Sequence, residues 1–428
     1  MLPVAGACLA IGLVGCTPGG TQPAGDTSGG ASTVVAVASP EAAAPPRRVD
    51  LAAVATVLRS RAAALAAGDA QAYAASIADR SSDRGRLQLD SYRAARALGV
   101  SRVAVGDLAV EPPPPGTSGT AGTMRVRAAL AYRLAGLDRV DRTTSVLVEL
   151  RRGPGGWAVA SEAADAAGAP PWVVMPDLRV VRGRHAVVAG TVADSRLAQQ
   201  VRVVDRALPR LRRLWARAPQ HVLVLAPGTD AEADALLGRA PGTGGAPVAA
   251  TTEGPPGHDG RAAADRVVLD PTAGSRLTAA GRDVVLTHEL THVAVRATVA
   301  GHPAAWLSEG YADHVGYERA DVPVVRLLEP LLREVRTGRT PTALPHAADL
   351  DPRSGAIEVP YLGAWQAVEL LADEYGEDAL RRLVVAASVT GSDAQAEAAT
   401  DRALREVLGT SRAELTTRWQ RRLDALTE

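Results

Sequence analysis

The sequence predicts an α+β protein in two unequal parts, and three observations carry that reading. Apolar residues recur at helical spacing over residues 50–98, alternate with a period of two from Met124 to Val159, and return to helical spacing over nearly everything after residue 276. Between the last two stretches lie a hairpin pattern, one long helical pattern and two short apolar runs. Helices and a curved antiparallel sheet therefore come first, and a small sheet followed by a run of helices comes second.

At 428 residues the chain is long enough for two or three domains. Phe is absent and neither Lys nor Asn occurs, so all 47 basic residues are Arg. Residues with A/T-rich codons are depleted, which points to a GC-rich bacterial genome and makes the missing Lys a mutational bias. The net charge of zero leaves no electrostatic footprint for nucleic acid or for an anionic membrane surface.

Residues 1–16 read as a signal peptide, because the run 2–15 is apolar but too short to span a bilayer. Leu13-Val14-Gly15-Cys16 resembles a bacterial lipobox, in which Cys16 would be lipidated and open the mature chain, although no Arg or Lys precedes the apolar run. Residues 17–48, rich in Gly, Pro, Ser, Thr and Ala, read as a flexible tether. The expected location is extracytoplasmic, held to the cell membrane by a lipid anchor alone; a cleaved signal peptide and secretion is the alternative. Cys8 and Cys16 are the two cysteines, so the mature chain keeps at most one and has neither an internal disulfide nor a cysteine nucleophile.

The first folded segment is expected over 49–168. Leu51, Val54, Leu58, Ala62 and Leu65 lie on one helical face, and Gly68-Asp69 ends that helix and caps the next. Met124, Val126, Ala128, Leu130, Tyr132 and Leu134 then alternate with Arg125, Arg127 and Arg133, and strands follow over 143–150 and from Gly156. Helices followed by a curved antiparallel sheet resemble the nuclear transport factor two-like cone fold, and the segment is expected to serve as a spacer or contact module.

A boundary falls at Ala167-Gly168-Ala169-Pro170-Pro171. The second segment, 172–428, divides into a sheet lobe (172–275) and a helical lobe (276–428). The sheet lobe is expected to hold a hairpin over 178–192, a helix over 195–216 that Pro209 kinks or splits, strands over 221–225 and 266–270, and a Gly- and Pro-rich loop over 241–260.

In the helical lobe His288-Glu289-Leu290-Thr291-His292 stands in an apolar helix with Val284, Val285, Leu286, Val293 and Val295. Positions four apart share a helix face, so both imidazoles point the same way with Glu289 beside them. Two histidines and a carboxylate are costly to bury unless something pairs with them, and a zinc ion is such a partner. Gly301-His302-Pro303 breaks that helix. Glu309 falls about two turns into the next one and reads as the third ligand, with His302 and His314 as rivals. His314 lies roughly 140° off the Glu309 face at 100° per residue.

Together with Trp306-Leu307-Ser308-Glu309-Gly310-Tyr311-Ala312-Asp313, this stretch resembles the zincin metallopeptidases of the gluzincin branch. Glu309 follows His292 by 17 residues, a shorter interval than in the best-known gluzincins. The metzincin branch is excluded, because Val295 and Thr298 stand where it has Gly and His. The resemblance implies that His288, His292 and Glu309 ligate zinc, that Glu289 is the general base, and that Asp313 orients a ligating histidine from behind. It further implies that an edge strand of the sheet, expected at 267–270, holds an extended peptide. In similar sequences a Tyr at the start of a later helix steadies the oxyanion, which points to Tyr361, with Tyr311, Tyr317 and His346 as rivals. His185, His221 and His258 read as structural or surface residues. The expected activity is zinc-dependent hydrolysis of a peptide or protein. The alternatives are a non-catalytic surface lipoprotein that binds a ligand or partner and keeps a structural zinc site, and hydrolysis of a non-peptide amide such as a cell-wall component.

Overall fold

The computed structural model describes residues 48–112, 122–165, 168–240, 250–254, 256–320 and 324–428. Cys16, the signal segment and the tether up to residue 47 lie outside the described residues. Among the described residues the fold is mixed α+β, with two sheets and a majority of helix.

The first segment opens with α1 (Arg48–Ala67), α2 (Ala70–Ala75) and α3 (Asp83–Leu98). Gly68, in the left-handed region at φ 78°, ends α1, and the Asp69 side chain accepts from Ala72 N to cap α2. An antiparallel meander follows: β1 (Val100–Val110), β2 (Thr123–Leu134), β3 (Arg142–Gly153) and β4 (Gly156–Ala164), hydrogen-bonded in that order. The alternation read from the sequence is the burial pattern of β2, whose Met124, Val126, Ala128, Leu130, Tyr132 and Leu134 are all buried. β1 shows no such alternation, because its pairing with β2 slips twice along its length.

The second segment begins with α4 (Pro171–Val174), the hairpin β5 (Arg179–Arg182) and β6 (Ala186–Gly190), and α5 (Asp194–Leu214). Of the kink or split expected at Pro209, the split does not occur, because α5 passes through Pro209 as one element. Then come β7 (Val222–Ala226), α6 (Asp230–Leu237), β8 (Ala250–Glu253), β9 (Arg266–Leu269) and α7 (Pro271–Ser275). These strands form a five-stranded sheet ordered β5-β6-β7-β9-β8, parallel in its middle pairs and antiparallel at both ends. This corrects the expected edge: β9 is internal, and the edge on that side is β8, inside the stretch read as a loop. Four residues between Gly- and Pro-rich flanks show no periodicity. β8 is a strand because it pairs with β9, Ala250 opposite Leu269 and Thr252 opposite Val267.

The helical lobe contains α8 (Ala279–Thr298), α9 (Ala305–Tyr317), α10 (Val324–Arg336), α11 (Glu358–Tyr375), α12 (Glu377–Ala387), α13 (Asp393–Leu408) and α14 (Arg412–Ala425). Among the described residues no helix is long and apolar enough to cross a membrane. The largest apolar core joins α5, one face of the sheet, α8, α9 and α11. Gly310 permits the close crossing of α9 and α11, since a Cβ there would lie 2.4 Å from the Ala364 carbonyl oxygen.

A second core lies across the segment boundary. Leu65, Tyr73, Leu98 and Tyr132 of the first segment pack with Trp172, Leu178, Val187, Leu223 and Val268 of the second. With α5 on its other face, the five-stranded sheet is covered on both sides, which explains why β6 and β7 are buried at every residue.

Candidate metal centre

Helix α8 is capped by Thr278, whose hydroxyl accepts from Gly281 N, and its middle turns are buried against the core. Spacing of four along it brings the imidazoles together: His288 Nε2 and His292 Nε2 are 2.9 Å apart. From α9, Glu309 Oε2 lies 3.3 Å from His288 Nε2 and Oε1 lies 3.5 Å from His292 Nε2. Ligand atoms held about 2.0–2.1 Å from a tetrahedral ion stand roughly 3.3 Å apart, so these separations fit one small cation. The three residues are the metal-competent group among the described residues, and all three are buried.

The donor chemistry passes the same test. Glu309 Oε2 is buried without a hydrogen bond of good geometry, and the two ring nitrogens face each other with the Glu309 oxygens, at 3.3 and 3.5 Å, beside them. Burial opposes a charge on His288, but Asp313 and Glu309 outweigh it and raise the imidazole to about 10. Burial likewise opposes the Glu309 charge, yet His292 and His288 bring that carboxyl down to about 2. Metal binding would displace the extra proton on His288 and leave one anionic oxygen and two neutral ring nitrogens, a set suited to a borderline divalent ion.

Around this group the other predicted residues take definite places. Asp313, four residues after Glu309, lies 2.8 Å from His288 Nδ1, so a hydrogen on that nitrogen leaves the Nε2 lone pair facing the centre. Burial raises the Asp313 carboxyl and His288 opposes the rise. Glu289 is buried, and burial raises its carboxyl; its Oε2 accepts from Thr252 Oγ1 at 2.6 Å, while Oε1 has no partner. Tyr361, on the first turn of α11, is buried beside Glu309, and burial together with Glu309, Asp313 and Glu289 raises its phenol well above 10.

The rivals point elsewhere. Tyr311 accepts from Trp215 Nε1 at 3.2 Å, and Tyr317 stacks on Trp365 at 4.3 Å between centroids. His346 is exposed, with Nδ1 3.8 Å from Glu397. His302 Nδ1 lies 3.1 Å from the Pro303 carbonyl oxygen, and His185 Nδ1 lies 3.1 Å from that of Gln220. Thr252, on β8, is the residue the sequence reading missed; a threonine 37 positions before Glu289 in an aperiodic stretch carries no signal.

His314 follows Asp313 but turns away from the centre, its Nδ1 2.8 Å from Glu369 Oε1 and its Nε2 against Glu377 Oε1. Burial opposes its charge, but the two carboxylates prevail and raise it from 6.5 to about 10. A folded value above the unfolded one gives stabilisation that is complete below the unfolded value and lost as pH rises through the folded value. Replacing His314 with Gln is therefore expected to lower stability clearly at pH 6 and far less near pH 10. Urea unfolding of both proteins at the two pH values measures this, and an equal loss at both would assign the effect to packing.

No protein-family model and no curated protein matches this chain.

Proposed function

We propose that this chain is a zinc metallopeptidase of gluzincin type, anchored outside the cytoplasm through a lipid on Cys16 and acting on a peptide or protein. The observation that carries the reading is the convergence of His288, His292 and Glu309, with the buried Glu289 carboxylate within electrostatic reach of both imidazoles and its Oε1 without a hydrogen-bond partner. The packing of α8 against both the sheet strands β8 and β9 and the helix α9 supports the reading. The first segment would serve as a contact module, and neither nucleic acid nor a membrane-spanning helix enters the proposal.

Zinc bound by the three ligands would supply a Lewis acid that acidifies water and polarises a carbonyl. Glu289 Oε1 would take the proton released by the attacking water and pass it to the leaving amine. Asp313 keeps the His288 ring turned so that Nε2 faces inward. Tyr361 would donate its hydroxyl hydrogen to the developing oxyanion, a role that requires the protonated phenol that its surroundings enforce. The edge strand β8 would pair with the backbone of an extended substrate.

One zinc per chain and cleavage of at least one member of a peptide library by the purified mature protein are expected. A metal-free protein, or a zinc-loaded protein that cleaves no peptide, would remove the proposal. Full burial of the three ligands favours a second reading, a zinc site that only stabilises the fold. Against it stands the unpartnered Glu289 oxygen, for which a structural site has no use. A large fall in melting temperature on chelation, with no peptide cleavage, would favour the second reading.

A further inference from the structure

We propose that Thr252 is a positioning residue for Glu289, fixing which carboxylate oxygen is free to take the proton; the inference rests on the peptidase reading above. Thr252 and Glu289 are both buried, each 1% exposed. The Thr252 hydroxyl lies 2.6 Å from Glu289 Oε2 and 3.2 Å from the carbonyl oxygen of the same residue. One hydroxyl thus reaches both the carboxylate and the main-chain carbonyl of Glu289. The threonine is itself restricted, because β8 pairs Thr252 with Val267 and a β-branched side chain has few rotamers. With Oε2 engaged, Oε1 is the oxygen left without a partner. The hydroxyl lies outside the metal-competent group, and its role is to select the geometry from which Glu289 acts.

A misplacement of about 1 Å in a reacting group lowers a rate by roughly 10²-fold, which sets the scale of the effect. Thr252→Val keeps the shape and removes the hydroxyl. Relative to wild type, its kcat is expected to fall about 10- to 100-fold with KM and zinc content unchanged. Thr252→Ser, which restores the hydroxyl, is expected to recover most of the loss. If the valine variant does not fold, Thr252→Ala compared with Thr252→Ser provides the same contrast. Crystal structures of the zinc-loaded wild type and variant supply a readout independent of turnover, with the Glu289 carboxyl expected to leave its position in the variant that lacks the hydroxyl. A carboxyl that stays in place, or a loss that Thr252→Ser does not recover, would overturn the inference. A wild-type protein that cleaves nothing would instead overturn the peptidase reading, while the carboxyl position in the variant still decides the role of Thr252.

Discussion

Replacing Glu289 with Gln is expected to leave zinc bound and to slow peptide hydrolysis about 10²- to 10⁴-fold, the range that a general base contributes. The amide has nearly the shape of the carboxylate, so its oxygen can still accept the Thr252 hydroxyl and its nitrogen takes the place of Oε1. A neutral amide cannot remove a proton from water. The three ligand atoms belong to other residues, so zinc content measured by elemental analysis should match wild type. Burial already disfavours the Glu289 charge, so the substitution should not cost stability. Glu309→Gln should behave differently, since it removes the one anionic ligand and should lower zinc content and turnover together. A zinc-loaded Glu289→Gln protein that cleaves peptides at the wild-type rate would take Glu289 out of the chemistry.

The parts of this site that were legible in the sequence are those fixed by local geometry. His288 and His292 lie four apart on one helix, as do Glu309 and Asp313 on the next, and helical periodicity alone decides that each pair shares a face. The same rule separates His314 from the ligands, because one further residue turns its ring away from the centre toward Glu369 and Glu377. What was not legible depends on how distant elements meet. Helical periodicity does not rank Tyr361 above Tyr311; the resemblance alone favours Tyr361, and the crossing of α9 and α11 sets it beside Glu309 and Tyr311 against Trp215. Thr252 faces Glu289 because β8 pairs outside β9, and strand order is a property of the assembled sheet. One signal was present in the sequence: the unbroken apolar runs of β6 and β7 mark strands covered on both faces. They show that something must lie on the second face, and the structure supplies the first segment as that cover.

That cover leads to the largest stability effect expected of a residue outside the metal site. Arg266, on β9, is buried against the first segment and forms an ion pair with Asp138, Nη2 to Oδ2 at 3.3 Å, with both side chains almost fully inaccessible. Its Nη1 donates to the Tyr132 hydroxyl at 2.7 Å, and Asp138 Oδ2 also accepts from Leu134 N at 2.8 Å. Removing one member of such a pair strands the other charge out of water. Asp138→Ala is therefore expected to cost about 3–5 kcal/mol, a large share of the roughly 5–15 kcal/mol that holds a domain folded. Replacing both members with apolar residues, Asp138→Leu with Arg266→Met, should be less harmful than the single change, because no charge is left unpaired. Arg266 pairs with Glu253 across β8 and β9, one residue from Thr252. Loosening it should therefore reach the strand that faces the Glu289 carboxyl, and turnover should fall even below the unfolding temperature. Urea unfolding of the single and double variants decides the matter. A single variant as stable as wild type would mean that the buried pair does not hold the two segments together, and that β8 depends on its own lobe alone.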